Sequence, residues 1–311
     1  MQEIFIKQLG KVVENFSIKF NEGKRWPVQF VLSTHSPHIA NSTQFESIRY
    51  FLCDRTETAK TQIKDVNSNF VCNEKSSDYL FIKKFLTLTK CDLFFADKAI
   101  FVEGTSERIL MPAIIQKSDK SKDLESQYIS IIEIGGAFAH HFYKLLDFLE
   151  LKTLIITDLD SIDAERKACV VSKALDTSNS GILKWFGKDS YKPYELIQLD
   201  PAEKVEKNRR IAFQIPENLG TPTGRSFEEA FIIANLTLFK IDEHSEDSEE
   251  QIKKNADKVK TKKTDFAIHH LIEEPNWKVP LYIKEGLDWL AENVIPEKQI
   301  NYCDEGSTEN E

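Results

Sequence analysis

"KAIFVEGTSERILMPAIIQK", residues 98–117, decides the reading of the fold. Its first part is a short apolar strand ending at Gly104, and the rest has the residue spacing of a helix. The pattern then repeats. "YISIIEIGG" (128–136) reads as a strand, "AHHFYKLLDFLEL" (139–151) as a helix and "KTLIITDLDS" (152–161) as a third strand. Short apolar strands alternating with helices predict an α/β fold with a parallel sheet covered on both faces. Ligands of such sheets gather at the carboxyl ends of the strands, where Glu103, Asp158 and Asp160 fall.

Composition narrows the class without naming it. The 311 residues are 41% hydrophobic, enough for a substantial core, and carry a formal charge of −9. That charge argues against a uniformly basic nucleic-acid coat. It is compatible with a metal-dependent phosphodiesterase, whose carboxylates recruit cations before the substrate arrives. Cys53, Cys72, Cys91, Cys169 and Cys303 are scattered with no C-x-x-C pair, which excludes a zinc ribbon and predicts reduced thiols in a cytoplasm. "MQEIFIKQLGKVVENF" (1–16) is an amphipathic helix rather than a signal peptide, and no apolar run is long enough to span a membrane.

On either side of the α/β unit the pattern is less regular. Before it, "VQFVLS" (28–33) and "SIRYFLCD" (47–54) read as strands, and a polar passage from residue 55 to 97, with a helix around "DYLFIKKFLTL", reads as a connector. After it comes a loose region (161–199), then a strand "RIAFQIP" (210–216) and a helix beginning in "GRSFEEAFIIAN" (224–235). An acidic block (241–250) precedes six lysines between Lys253 and Lys263, a pattern that belongs to a solvated loop and helix. Helices "KTDFAIHHLIEE" and "YIKEGLDWLAEN" close the fold, and 301–311 reads as a disordered tail. Adjacent histidines, as in His140–His141 and His269–His270, project in different directions, so neither pair is a chelate by itself.

Asp158 and Asp160 carry the strongest chemical signal. In extended backbone, side chains at i and i+2 share a face, so both carboxylates converge, and they repel unless a cation sits between them. Mg²⁺ and similar hard ions take a few oxygen ligands and keep waters for a phosphate substrate. Glu103 and Glu107 bracket a Gly-Thr-Ser turn and face the same way if the helix begins there. The plainer alternative is that Asp158 starts a turn while Glu103 and Glu107 cap a helix N-terminus. The joint occurrence of both pairs in one α/β unit favours the metal site.

"VEGTSE" followed by "TDLDS" resembles the glutamate and D-x-D motifs of the topoisomerase-primase (TOPRIM) domain. "ADKAIFVEGTSERILMPAII", "GRSFEEAFI", "KKTDFAIHHL" and "YIKEGLDWL" are similar to the OLD (overcoming lysogenization defect) nucleases within that group. The resemblance implies a Rossmann-like TOPRIM sheet with helical additions over 98–300, and a two-metal enzyme using Mg²⁺ or Mn²⁺. It assigns Glu103, Glu107 and Asp158 to one ion, and Asp160, Ser226 and Glu228 to the other, with Glu229 as the alternative to Glu228. Lys263 would offset charge in the transition state, so that Glu103, Asp158, Asp160 and Lys263 form the catalytic set. Without the resemblance, Ser226 reads as an N-cap and Lys263 as one solvated lysine among several.

"VQFVLSTHSPHIAN" (28–41) resembles the switch-histidine end of that family's ABC-type ATPase, with His35 as the residue that would sense the γ-phosphate of ATP. Residues 1–54 are therefore expected to be a remnant of such a domain. No phosphate loop accompanies it: the nearest match, "GILKWFGKD" from Gly181, has five intervening residues instead of four and Asp189 in place of a hydroxyl. The expectation is a C-terminal fragment in which ATP binding and homo-oligomer contacts belong to a missing N-terminal part.

The sequence thus predicts a metal-dependent endonuclease module that cuts or nicks duplex or single-stranded DNA and is not itself an ATPase. Its expected setting is phage defence, with kinship to the Gabija-type nucleases. Two other readings remain. One is an idle TOPRIM fold serving as a docking or regulatory module, and the other a TOPRIM enzyme acting on RNA. A primase or topoisomerase would need a template module or a tyrosine nucleophile domain, for neither of which the chain shows a candidate.

Overall fold

The computed structural model describes residues 2–24, 26–53, 60–70, 79–84, 91–242, 245 and 247–292. The expected tail at 301–311 and three stretches of the expected connector lie outside the described residues. In chain order, α1 (Gln2–Phe20) and α2 (Pro37–Asn41) precede a hairpin of β1 (Arg49–Cys53) and β2 (Thr61–Asp65), then α3 (Val66–Phe70) and a helical stretch at 79–84 (α4). The α/β unit follows as β3 (Lys98–Val102), α5 (Thr105–Lys117), α6 (Ser121–Glu125), β4 (Ile129–Glu133), a 3-10 stretch (Gly136–Phe142), α7 (Tyr143–Leu149) and β5 (Lys152–Ile156). A small ladder of β6 (Ser161–Ile162) and β7 (Asp176–Thr177), helices α8 (Ser180–Phe186) and α9 (Pro193–Ile197), and strands β8 (Val205–Glu206) and β9 (Arg209–Ala212) come next. The chain then runs through α10 (Phe227–Ala234), α11 (Ser248–Val259), α12 (Lys263–Ile268), a π-helical turn (His269–Glu273) and α13 (Leu281–Ala291).

The central sheet has the order β4-β3-β5-β9-β8, with only the β8–β9 edge pairing antiparallel. Every residue of β3 is buried, as a central strand covered on both faces requires. Side-chain alternation sorts the core into two layers. Ala99, Phe101 and Ile155 face a layer containing Phe142, Leu145 and Leu146, whereas Ile100, Val102, Leu154 and Ile156 face one containing Leu110, Met111, Phe231, Tyr282 and Leu287. Each fully buried side chain of this size contributes about 1.5–3 kcal/mol of transfer free energy. Helix α13 approaches β5 closely enough that a Cβ at Gly286 would lie 2.8 Å from Leu154 Cδ1, so a larger residue there would force Leu154 or the helix to shift.

Three sequence expectations need correcting. Residues 28–33 form no strand: they pair with no strand among the described residues, and Val31 is 87% exposed. Apolar alternation makes a strand only when a neighbour completes its ladder. The expected boundary at 54/55 falls inside the β1–β2 hairpin, in which Arg49 aligns with Asp65 and Cys53 with Thr61. Polar "TQIKD" concealed this strand, which joins the hairpin through backbone pairing; nearby, Phe45, Val66 and Phe70 enter the same core layer as Leu145. The region after Ser161 is ordered rather than loose, with Ile182, Tyr191, Leu196 and Phe213 in a small core of their own. Among the described residues, no helix is long and apolar enough to cross a membrane.

Candidate active site

The carboxyl ends of β3 and β5 lie side by side because Phe101 aligns with Ile155 in the parallel register. Glu103 leaves β3 and reaches across to the chain after β5. Its Oε2 accepts hydrogen bonds from Thr157 Oγ1 at 2.7 Å, the Asp158 backbone N–H at 2.9 Å and Asn179 Nδ2 at 3.3 Å. Asn179 also donates to Thr157 Oγ1 and to the Asp158 carbonyl, both at 2.8 Å, while its own oxygen caps α8 by accepting from Gly181 and Ile182. Gln214, just past β9, donates to Asp158 Oδ1 at 2.7 Å and accepts from the Leu159 backbone at 2.8 Å.

Glu107 lies in the first turn of α5, where its charge would face the positive helix end, yet it is only 2% exposed. Its Oε2 is buried without a hydrogen-bond partner. Gly104 makes room for it, since a Cβ there would stand 3.0 Å from Glu107 Oε2 and 3.7 Å from Lys263 Nζ. Burial, reinforced by Glu228, raises the Glu107 carboxyl to about 8. Asp158 is raised well above the carboxylate range, first by burial and then by Glu103, Glu107 and Glu228. These groups repel one another in a poorly solvated place, which is the arrangement a divalent cation would relieve.

Asp160 joins the cluster by a route that the sequence did not predict. Strand β5 ends at Ile156, and Asp160 has φ +46°, a left-handed conformation that Asp tolerates better than most residues. The turn, rather than an extended i, i+2 pair, sets its position. Burial and then Glu103 raise its carboxyl, against the opposing charges of Arg225 and Lys263. Arg225 approaches Asp160 Oδ1 at 3.5 Å, and its carbonyl accepts the Asp160 backbone N–H.

Helix α10 brings the remaining acid. Glu228 is 4% exposed; its Oε1 accepts from Ser106 Oγ at 3.0 Å and lies 3.0 Å from Lys263 Nζ. Glu229 instead accepts the Arg225 backbone N–H at 2.9 Å, so of the two candidates Glu228 faces the cluster. Ser226 occupies the N-cap of α10, where its Oγ accepts from the Glu229 N–H at 3.4 Å. Burial pulls the Lys263 ammonium down, but Glu228, Glu107 and Asp158 outweigh it and raise its pKa, so the lysine stays charged. Among these acids, Glu228 exerts the strongest charge effect on Glu107, and Glu103 on Asp160, so the two ligand sets implied by the resemblance interleave in space.

His35 lies outside this cluster, exposed just before α2. The supporting residues Thr157, Asn179, Gln214 and Arg225 went unnoticed in the sequence. Only Asn179, an Asn ahead of a helical segment, carried a local signal for its N-cap role.

Residues 94–160 match the family described as overcoming lysogenization defect protein-like, TOPRIM domain, a segment that includes Glu103, Glu107, Asp158 and Asp160. This segment of the chain is an OLD-like TOPRIM domain. It is 31% identical over 337 aligned positions to endonuclease GajA of Bacillus cereus (strain HuB5-5), covering 96% of this chain and 47% of that protein. It is 28% identical over 131 positions to endonuclease GajA of Bacillus cereus (strain VD045), covering 42% of this chain and 21% of the relative. This OLD-like chain therefore spans about half the length, or less, of the curated relatives it matches. Among solved structures, it is similar to the C-terminal region of the Burkholderia pseudomallei OLD protein, with TM-score 0.37 and 19% identity, covering 63% of this chain and 97% of that one.

Proposed function

We propose that this OLD-like TOPRIM chain is the nuclease module of a DNA endonuclease that hydrolyses phosphodiester bonds with two divalent ions, Mg²⁺ or Mn²⁺. The observation that carries the reading is the gathering of Glu103, Glu107, Asp158, Asp160 and Glu228 around Lys263 at the carboxyl ends of β3 and β5. The buried, unpartnered Oε2 of Glu107 and the raised carboxyls around it fit a cation. Glu103, Glu107 and Asp158 are the proposed ligands of one ion, and Asp160, Glu228 and Ser226 of the other. When bound, the ions supply Lewis-acid stabilisation of the attacking and leaving oxygens at phosphorus.

The chain's own groups do the rest. Asn179, Thr157 and the Asp158 N–H fix Glu103, and Gln214 fixes Asp158, so the acids need little reorganisation to act. Lys263, held charged beside Glu228, places a cation where negative charge grows on the phosphoryl oxygens. The 311 residues carry no phosphate-binding loop, so the reading assigns ATP hydrolysis to none of them and leaves His35 without a role in the cutting step. The nuclease reading is in keeping with the endonuclease names of the relatives, and its proposed setting is defence against phage in the cytoplasm.

The test is incubation of supercoiled plasmid with the purified chain and Mg²⁺ or Mn²⁺, beside Asp158→Ala. Metal-dependent nicking that disappears in the variant supports the reading. Nicking that persists in Asp158→Ala contradicts it, and cleavage of RNA alone would transfer the same chemistry to a different substrate.

A further inference from the structure

A trio of metal-ligating groups stands apart from the carboxylate cluster, at the far end of the helix that begins with Lys263. Helix α12 runs into the π-helical turn His269–Glu273, where the Glu274 N–H donates to the His269 carbonyl at 3.0 Å. A regular α-helix turns adjacent side chains about 100° apart. The wider π turn lets Glu274 face both histidines at once: its Oε2 lies 3.5 Å from His269 Nε2 and 3.7 Å from His270 Nδ1. One ligand atom from each of the three residues falls within 4.8 Å of the others. The histidine pair is no chelate by itself, and Glu274 supplies the third group.

Two independent observations point to an ion at this place. His270 is 3% exposed and its Nδ1 is buried with no hydrogen-bond partner, an omission that is unfavourable in an interior. Its ring is clamped by Phe231, Phe239 and Phe266, at centroid distances of 4.9, 5.7 and 4.6 Å, so it is held in place before any ion arrives. His269, for its part, turns Nδ1 toward Glu273 Oε2 at 2.8 Å, leaving Nε2 for Glu274 and the gap between them. A carboxylate on the outer nitrogen of an imidazole is the usual way of orienting a metal-binding histidine.

We propose that His269, His270 and Glu274 form a second metal site, for a zinc-class ion, separate from the carboxylate cluster. Two imidazoles and one carboxylate suit Zn²⁺ and its neighbours rather than Mg²⁺, which prefers oxygen ligands. Three protein ligands leave a fourth position for water, and the partly exposed Glu274 gives the ion a way in. The ion ties the π turn together at one end of the segment that presents Lys263 at the other.

The test is Zn²⁺ titration of the full chain, stripped with a chelator and then competed against a chromophoric chelator, with Co²⁺ absorption as a second readout. Wild type should bind one Zn²⁺ with histidine-ligated Co²⁺ bands. His269→Ala and Glu274→Gln, both at partly exposed side chains, should each lose at least tenfold in affinity while keeping the native circular dichroism. Asp158→Asn should bind this Zn²⁺ as wild type does. Equal Zn²⁺ affinity in wild type and His269→Ala overturns the proposal, and so does loss of the ion in Asp158→Asn, which would place it in the carboxylate cluster. None of these outcomes depends on whether the chain cuts DNA.

Discussion

Lys263 Nζ lies 3.0 Å from Glu228 Oε1, the same oxygen that accepts the Ser106 hydroxyl. Helices α5, α10 and α12 therefore meet at one carboxylate. Glu228 is buried while the Lys263 side chain is partly exposed, so on the proposed function the ammonium can meet an incoming phosphoryl oxygen from beside the carboxylate.

Lys263→Met removes that charge at similar volume. On the proposed function, turnover should fall by about 10²–10³, the cost typical of losing one group that stabilises transition-state charge. Half-activation by Mg²⁺ should stay the same or shift to lower concentration, because Glu228 loses its competing partner. Plasmid nicking against Mg²⁺ concentration separates the two effects. A higher Mg²⁺ requirement with unchanged saturating rate would make Lys263 a support for ion binding only.

The raised carboxyls predict an unusual pH profile for the metal-free protein. Glu107 moves from its ordinary 4.5 to about 8, and Asp158 rises well above its ordinary value. Between the unfolded and folded pKa values the folded state holds more protons than the unfolded one, so stability falls as pH rises. In chelator, the melting temperature should therefore drop between about pH 5 and about pH 8, and Mg²⁺ should restore it most at the alkaline end. Glu107→Gln should flatten the decline. A profile in chelator identical for wild type and Glu107→Gln would show that Glu107 does not hold its proton.

The α/β repeat was legible because short apolar strands and helical spacing are local properties, and they already placed Glu103 and Asp158 at strand ends. What escaped the sequence depends on contacts between distant segments. Asn179 and Gln214 look like ordinary polar residues until folding sets them against Glu103 and Asp158. Asp160 reaches the other carboxylates through a left-handed turn and not along an extended strand, which an i, i+2 spacing rule does not foresee. Residues 28–33 erred in the opposite sense: their apolar pattern is real, but a ladder needs a partner that no spacing rule supplies. The approach of Glu274 to both His269 and His270 was hidden by a single widened helical turn.

Two glycines separate packing from conformational cost. At Gly286, a Cβ would press to 2.8 Å from Leu154 Cδ1, in the fully buried layer behind β5, whereas at Gly10, within α1, nothing lies within 4 Å. Gly286→Ala should cost about 1–3 kcal/mol through overpacking. Gly10→Ala should be neutral or gain about 0.5–1 kcal/mol through helix propensity. Urea unfolding of both variants checks the contrast, and comparable stability for Gly286→Ala and wild type would mean that α13 can shift away from the sheet.

Asn179 allows a test of how far the site depends on its supports. One side chain caps α8, donates to Thr157 and the Asp158 carbonyl, and reaches Glu103. Asn179→Ala removes the cap and leaves buried partners unmet, a loss of about 1–3 kcal/mol in stability. Asn179→Asp keeps the cap but sets a further carboxylate against Glu103 and Asp158. Its stability should recover part of the alanine loss only when Mg²⁺ is present to offset the added charge. Chemical unfolding of both variants with Mg²⁺ and with chelator gives the comparison. If Asn179→Asp unfolds at the same denaturant concentration in both conditions, no cation reaches the Glu103 side of the cluster, and the assignment of Glu103 as a ligand fails with it.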